Sequence, residues 1–127
     1  MSHERQRTGK IGEALARAHL EEAGYTIEAA NFRHLKAEID LVCRPPEGEA
    51  LVFVEVKTRR SAFFGEPARF HSATQKKHLA RAAAAYCRKV EHDWEMRFDV
   101  IGVYLRSEAE GDFELRHYED VFWPGLY

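Results

Sequence analysis

Apolar and polar positions recur along this chain with two different periods, and the changes of period mark its elements. From about Thr8 to Ala23, Ile11, Ala14, Leu15 and Ala18 stand at helical spacing in an Ala- and Glu-rich stretch. Gly24 follows where helices stop. Tyr25-Thr26-Ile27 opens a short strand that runs toward Asn31-Phe32-Arg33. Ala37–Cys43 then alternates as a second strand, which predicts Glu38, Asp40 and Val42 on one face. Pro45-Pro46-Glu47-Gly48 is a turn, and Ala50–Thr58 reads as a third strand that forms a hairpin with the second.

Ser61 to Phe70 holds Gly65 and Pro67 among Phe63, Phe64 and Phe70, and is expected to be a loop with exposed aromatics. A long helix is predicted from about Ser72 to Val90, with Leu79, Ala82, Ala83, Tyr86 and Val90 as its apolar stripe. Met96–Leu105 is a strand, and Asp112–Tyr118 alternates as its antiparallel partner. Helix, three strands, helix and two strands describe an α/β chain, and residues 1–127 read as one domain with neither repeat nor linker.

Chemistry enters with Phe53-Val54-Glu55-Val56-Lys57. A strand this apolar belongs inside a sheet, yet Glu55 and Lys57 project from one face, two residues apart. Burying a charge costs several kcal/mol unless it is paired or bound to a metal. A lone Glu-x-Lys would be an ion pair at a sheet rim. Asp40, among apolar residues of the neighbouring strand, changes that balance. Two carboxylates meeting at the open end of the hairpin suit a hard cation such as Mg2+. Such an ion holds a phosphate oxygen and activates water, and Lys57 would orient that water or meet charge on the phosphate.

Further motifs accompany these residues: Gly9-x-x-Gly12-Glu13-x-x-Ala16, Asn31-Phe32-Arg33, Glu38-Ile39-Asp40-Leu41-Val42, Phe53-Val54-Glu55-Val56-Lys57-Thr58-Arg59, Gln75-Lys76-Lys77 and Arg97-Phe98-Asp99-Val100. In this order and spacing the chain resembles the YraN-like (UPF0102-type) family of small bacterial proteins. That family is similar to archaeal Holliday junction resolvases and to restriction-endonuclease-like nucleases. The resemblance implies an αβββαββ core with a mixed central sheet flanked by helices, and a D…E-x-K signature at Asp40, Glu55 and Lys57. It also implies a supporting acid at Glu13, a polar contributor at Gln75, a metal-facing carbonyl at Val56, and Mg2+ or Mn2+ as the ion. One departure is Ala37, where the family usually has Gly before Glu-Ile-Asp. On their residues alone, Glu13 is equally an i,i+4 partner of Arg17 on a helix surface, whereas Gln75, facing inward, favours a site partner over a cap-region hydrogen bond. Glu38 reads as solvated at a strand start, and Arg97 with Asp99 as a structural pair.

Charge adds a partner class. The net charge is −2, but residues 56–90 carry Lys57, Arg59, Arg60, Arg69, Lys76, Lys77, Arg81, Arg88 and Lys89 against the single acid Glu66. Residues 91–127 are acidic by contrast. One basic face for phosphates and two mutually neutralising segments are both open on charge alone. Arg59, Arg60, Lys76, Lys77 and Arg81 are the candidate phosphate contacts.

The expected activity is metal-dependent phosphodiester hydrolysis on DNA, with branched or damaged DNA as the substrate the analogy implies and RNA left open. A homodimer is the assembly that the resolvase analogy carries. A nucleic-acid-binding module without efficient cleavage, and a protein-interaction adaptor, are the competing functions. The scattered histidines lack zinc spacing, and no nucleophile elbow or G-K-[ST] loop is present. No apolar run is long enough for a membrane helix, and Cys43 and Cys87 read as reduced core residues, which points to the cytoplasm.

Overall fold

The computed structural model describes residues 2–60 and 70–122. Helix α1 spans Ser2–Glu22, followed by strands β1 (Thr26–His34), β2 (Ala37–Arg44) and β3 (Leu51–Arg59). Helix α2 spans Ala73–Val90, and strands β4 (Met96–Leu105) and β5 (Phe113–Phe122) complete the order. The five strands form one sheet in the order β1-β2-β3-β4-β5. All neighbours are antiparallel except β3 and β4, which run parallel. A parallel pair needs a crossover, and the segment containing α2 provides it.

The helices cover opposite faces, and this explains the unbroken apolar runs of the central strands. Leu51, Phe53 and Phe98 pack with Leu79, Ala83 and Tyr86 beneath α2. Val52, Val54, Ile101 and Val103 pack with Ala16 and Leu20 beneath α1. Gly12 lets α1 lie directly on β3: a Cβ there would stand 1.8 Å from the Thr58 Oγ1. Gly24, at φ +94°, ends α1. The Tyr25 N–H donates to the Leu20 carbonyl and the Gly24 N–H to the Glu21 carbonyl, so two orphan carbonyls are satisfied.

Several elements depart from the sequence reading. Helix α1 begins at Ser2 rather than near Thr8. The extra turns carry no apolar stripe for periodicity to detect, and extending an existing helix costs little. The strict alternation expected of β2 breaks at Asp40: Ile39 packs beneath α2, whereas Leu41 packs beneath α1. Glu38, Asp40 and Val42 therefore do not share one regular face. On α2, Val90 is 37% exposed, and Ala80 and Cys87 are buried instead. Phe70 is buried against Tyr118 rather than exposed, while Phe63, Phe64, Gly65, Pro67 and Arg69 lie outside the described residues.

Strand β5 continues past Tyr118 to Phe122 through a register shift opposite Phe98 and Val100. Asp120 takes φ +57° there, and its N–H donates to the fully buried Asp99. Arg97 grips the same carboxylate through Nε and Nη2, and His117 Nε2 lies 2.8 Å from it. Burial alone would raise the Asp99 carboxyl, but these partners outweigh it and hold the group below the usual carboxylate range. Arg97 and Asp99 are thus a structural pair that locks β4 to β5.

Candidate active site

The chemistry-bearing residues collect where the sheet parts. Strand β3 keeps its pairing with β4 from Leu51↔Met96 to Arg59↔Tyr104, but its pairing with β2 stops at Leu41↔Val54. Beyond that point β2 swings away at Asp40, and the Val56 N–H donates to the Asp40 Oδ2 at 2.7 Å. The bond replaces a ladder partner that β2 no longer offers. The opening is a continuous trough of two cavities that share Glu38, Asp40 and Val56. The α1-side cavity, about 580 Å³, adds Gln6, Lys10, Glu13 and Asn31. The α2-side cavity, about 380 Å³, adds Lys36, Glu55, His71, Gln75 and His78.

Glu55 and Lys57 project from β3 on the α2 side as their spacing requires. Lys57 Nζ lies 3.2 Å from the Glu55 Oε2 and above the Phe70 ring, and the two side chains are only 18% and 25% exposed. The second Glu55 oxygen meets His71 Nε2. Burial pushes the Glu55 carboxyl up, but His71 and Lys57 together outweigh it, so Glu55 is held below its ordinary value and stays ionised. Asp40 behaves in the opposite way. Burial first, then the charges of Glu55, Glu38 and Glu13, raise it to about 7, against the opposing pull of the Val56 N–H. Two carboxylates with opposed shifts in one cleft form an electrostatic arrangement typical of working sites.

Glu13 lines the same trough from α1 and adds negative charge at Asp40. Gln75 lines the α2 side while its carbonyl caps the helix: the Ser72 N–H donates to its Oε1 at 2.8 Å, and the Gln75 N–H donates to the Ser72 Oγ at 3.1 Å. That reciprocal pair is a capping box. The basic candidates do not converge on one spot. Arg60 pairs with Glu108 at 3.2 Å and reaches Thr8. The exposed Arg59 donates to the Thr58 carbonyl. Lys76 sits over the Phe122 ring on α2, and Lys77 and Arg81 are exposed on that helix.

His71 was not singled out by pattern, nor were Lys10 and Lys36, and Asn31 stood only within the Asn31-Phe32-Arg33 motif with no role assigned. The capping box Ser72-Ala73-Thr74-Gln75 carried the missing signal for His71, since it makes His71 the residue that leads into α2. Asn31 is a poor residue for a strand interior; its left-handed backbone, φ +54°, accounts for it.

An αβββαββ chain whose mixed sheet carries a helix on each face has the arrangement of a restriction-endonuclease-like core. The model of a family described as "Uncharacterised protein family UPF0102" matches residues 12–103. The chain belongs to that family. It is 40% identical over 121 residues to a UPF0102 protein of Chlorobaculum tepidum, covering 92% of each chain. It is 39% identical over 124 residues to one from Bacteroides thetaiotaomicron, covering 98% of each. A third, from Syntrophus aciditrophicus, is 41% identical over 104 residues, covering 81% of this chain and 80% of its own. Among the described residues no helix is long and apolar enough to cross a membrane.

Proposed function

We propose that this chain is a metal-dependent phosphodiesterase acting on DNA, with Asp40, Glu55 and Lys57 at its reacting centre. The observation that carries the reading is the parting of β2 from β3, which places Asp40 and Glu55 in one trough with Lys57 beside them. Burial first, and then the charges of Glu55, Glu38 and Glu13, raise Asp40 to about 7, and a cation in the trough would offset those negative charges. The Asp40 carboxylate, together with Glu55 and the Val56 carbonyl, offers the hard oxygens that Mg2+ or Mn2+ prefers. Among the described residues no three His, Cys, Asp or Glu side chains are grouped for a metal, so waters and substrate oxygens would complete the shell. When bound, such an ion supplies Lewis acidity toward a phosphate oxygen and a more acidic water.

The chain's own residues have separate tasks. Lys57 stands where it orients the attacking water or meets charge developing on the phosphate. His71 holds Glu55 in place and keeps it ionised. Glu13, on the opposite wall, opposes ionisation of Asp40 and adds a further carboxylate to the trough that a cation would offset. Lys77 and Arg81 are free of the trough and suited to phosphates farther along a substrate. A second reading is a nucleic-acid-binding module without efficient hydrolysis. It draws on Glu55 being already engaged by both Lys57 and His71.

Cleavage of labelled single-stranded, duplex, flap and four-way-junction DNA with Mn2+ and Mg2+ decides between them. Native protein should give metal-dependent products that Asp40→Asn and Lys57→Ala both lose. Products that persist in both variants, or no products at high enzyme with salt-sensitive binding intact, would overturn hydrolysis at this site.

A further inference from the structure

The tip of the β1–β2 hairpin has two properties that folding does not require. His34 pairs with Ala37, so Leu35 and Lys36 form a two-residue turn. The first position of such a turn calls for left-handed backbone, which Gly, Asn or Asp adopts most readily. Leu35 occupies it at φ +55° and is 78% exposed. A bulky side chain is strained there, and leaving it in water returns no burial to the fold. Lys36, next to it, lines the trough with Asp40 and Glu55. The hairpin tip therefore stands on the rim of the candidate active site, with Lys36 adding positive charge beside an apolar point, while Arg33 is paired with Glu38 at 3.2 Å.

We propose that Leu35 is a wedge that reads the boundary between paired and unpaired DNA. This inference rests on the nucleic-acid reading of the trough and names its substrate class. Apolar side chains inserted at a base step unstack it and find burial against base faces that water does not offer. A fork needs less unstacking than a continuous duplex, because its last pair is stacked on one side only. With Leu35 at that last pair, Lys36 meets the adjoining phosphate, and the released strand enters the trough past Asp40. The preference for a fork then comes from the hairpin tip, while hydrolysis belongs to the trough.

The test uses the full chain without divalent metal, so no cleavage is needed. The probe is a forked DNA carrying a fluorescent aminopurine at the last pair, with a continuous duplex and a single strand as controls. Binding of native protein to the fork should raise the aminopurine emission. Leu35→Gly removes the wedge and relieves the backbone, so its thermal midpoint should equal or exceed that of native protein. It should bind the single strand unchanged, lose the emission rise, and lose about ten-fold in preference for fork over duplex. Leu35→Met should keep both signals. Retention of emission and preference in Leu35→Gly would overturn the wedge. A change of solution mass in that variant, with DNA preference kept, would also overturn it by assigning Leu35 to a contact between chains. Native protein that binds none of the three DNAs would overturn the nucleic-acid reading itself, whereas absent hydrolysis leaves this experiment interpretable.

Discussion

At the scale of single residues, Asp40 and Glu55 show how one cleft drives two carboxyls apart. Asp40, raised to about 7 from its ordinary 3.8, keeps its proton in the folded chain after the unfolded chain has released it. Its contribution to stability is therefore present in full below about pH 4, fades as pH rises, and is lost above about pH 7. Asn at this position still accepts the Val56 N–H and carries no charge. Asp40→Asn should accordingly unfold at a higher denaturant concentration than native protein near pH 8 in chelator, and at the same concentration near pH 4. A stabilised but inactive variant is what a group retained for chemistry predicts. His71 makes a complementary prediction. Removing a partner that orients a metal-binding carboxylate costs about 10- to 100-fold in metal affinity or activity. In the hydrolytic reading, His71→Ala should raise the Mn2+ concentration for half-maximal cleavage by about ten-fold or more, and a titration of rate against Mn2+ measures it.

Asp40, Glu55 and Lys57 were legible because charged residues inside apolar strands stand out against their neighbours. His71 was not, because its chemistry lies in a contact with Glu55, sixteen residues away in the chain. Gln75 was legible as a polar residue near a helix start, but only coordinates show its carbonyl turned to the Ser72 N–H. Val90 was misjudged because helical period assigns a face without saying where the covering sheet ends.

At the scale of elements, α1 and β3 approach so closely that Gly12 has no substitute of larger size. Gly12→Ala should lower stability by about 1–3 kcal/mol through overpacking on Thr58. Thr58→Ala added to it should recover much of the loss, and urea unfolding of the two single variants and the double variant gives the coupling directly. The glycine matters to the site as well as to the packing, since the next residue on α1 is Glu13. Strand boundaries were readable from period and turn residues, and β4 begins and ends where its pattern does. Strand β5 outran its pattern because a bulge breaks alternation, and the bonds that sustain it come from Asp99 on another strand.

At the scale of the whole molecule, the acidic C-terminal third largely answers its own arginines. Arg97 meets Asp99 and Glu119, Arg106 meets Asp112, and Arg116 meets Glu114. Arg60 crosses to Glu108, so it is drawn from the basic set rather than added to a phosphate-binding face. The exposed Lys77 and Arg81 remain on α2. If phosphates bind along that helix, Lys77→Ala and Arg81→Ala should each reduce the slope of log affinity against log salt by about 0.9. Arg60→Ala should change it less, and a binding series across salt concentrations separates the three.

The order of elements, the hairpin, and the placement of Glu55 beside Lys57 were determined by the sequence itself. Each depends on local geometry: the period of a helix or strand, the backbone limits of Pro and Gly, and the rule that i and i+2 share a strand face. Tertiary structure alone decided that β2 parts from β3 at Asp40, that His71 closes on Glu55, and that Leu35 stands strained at the rim of the trough. Those outcomes arise where packing on two faces of one sheet competes with regular pairing, and that competition involves residues too far apart in the chain for any local pattern to record.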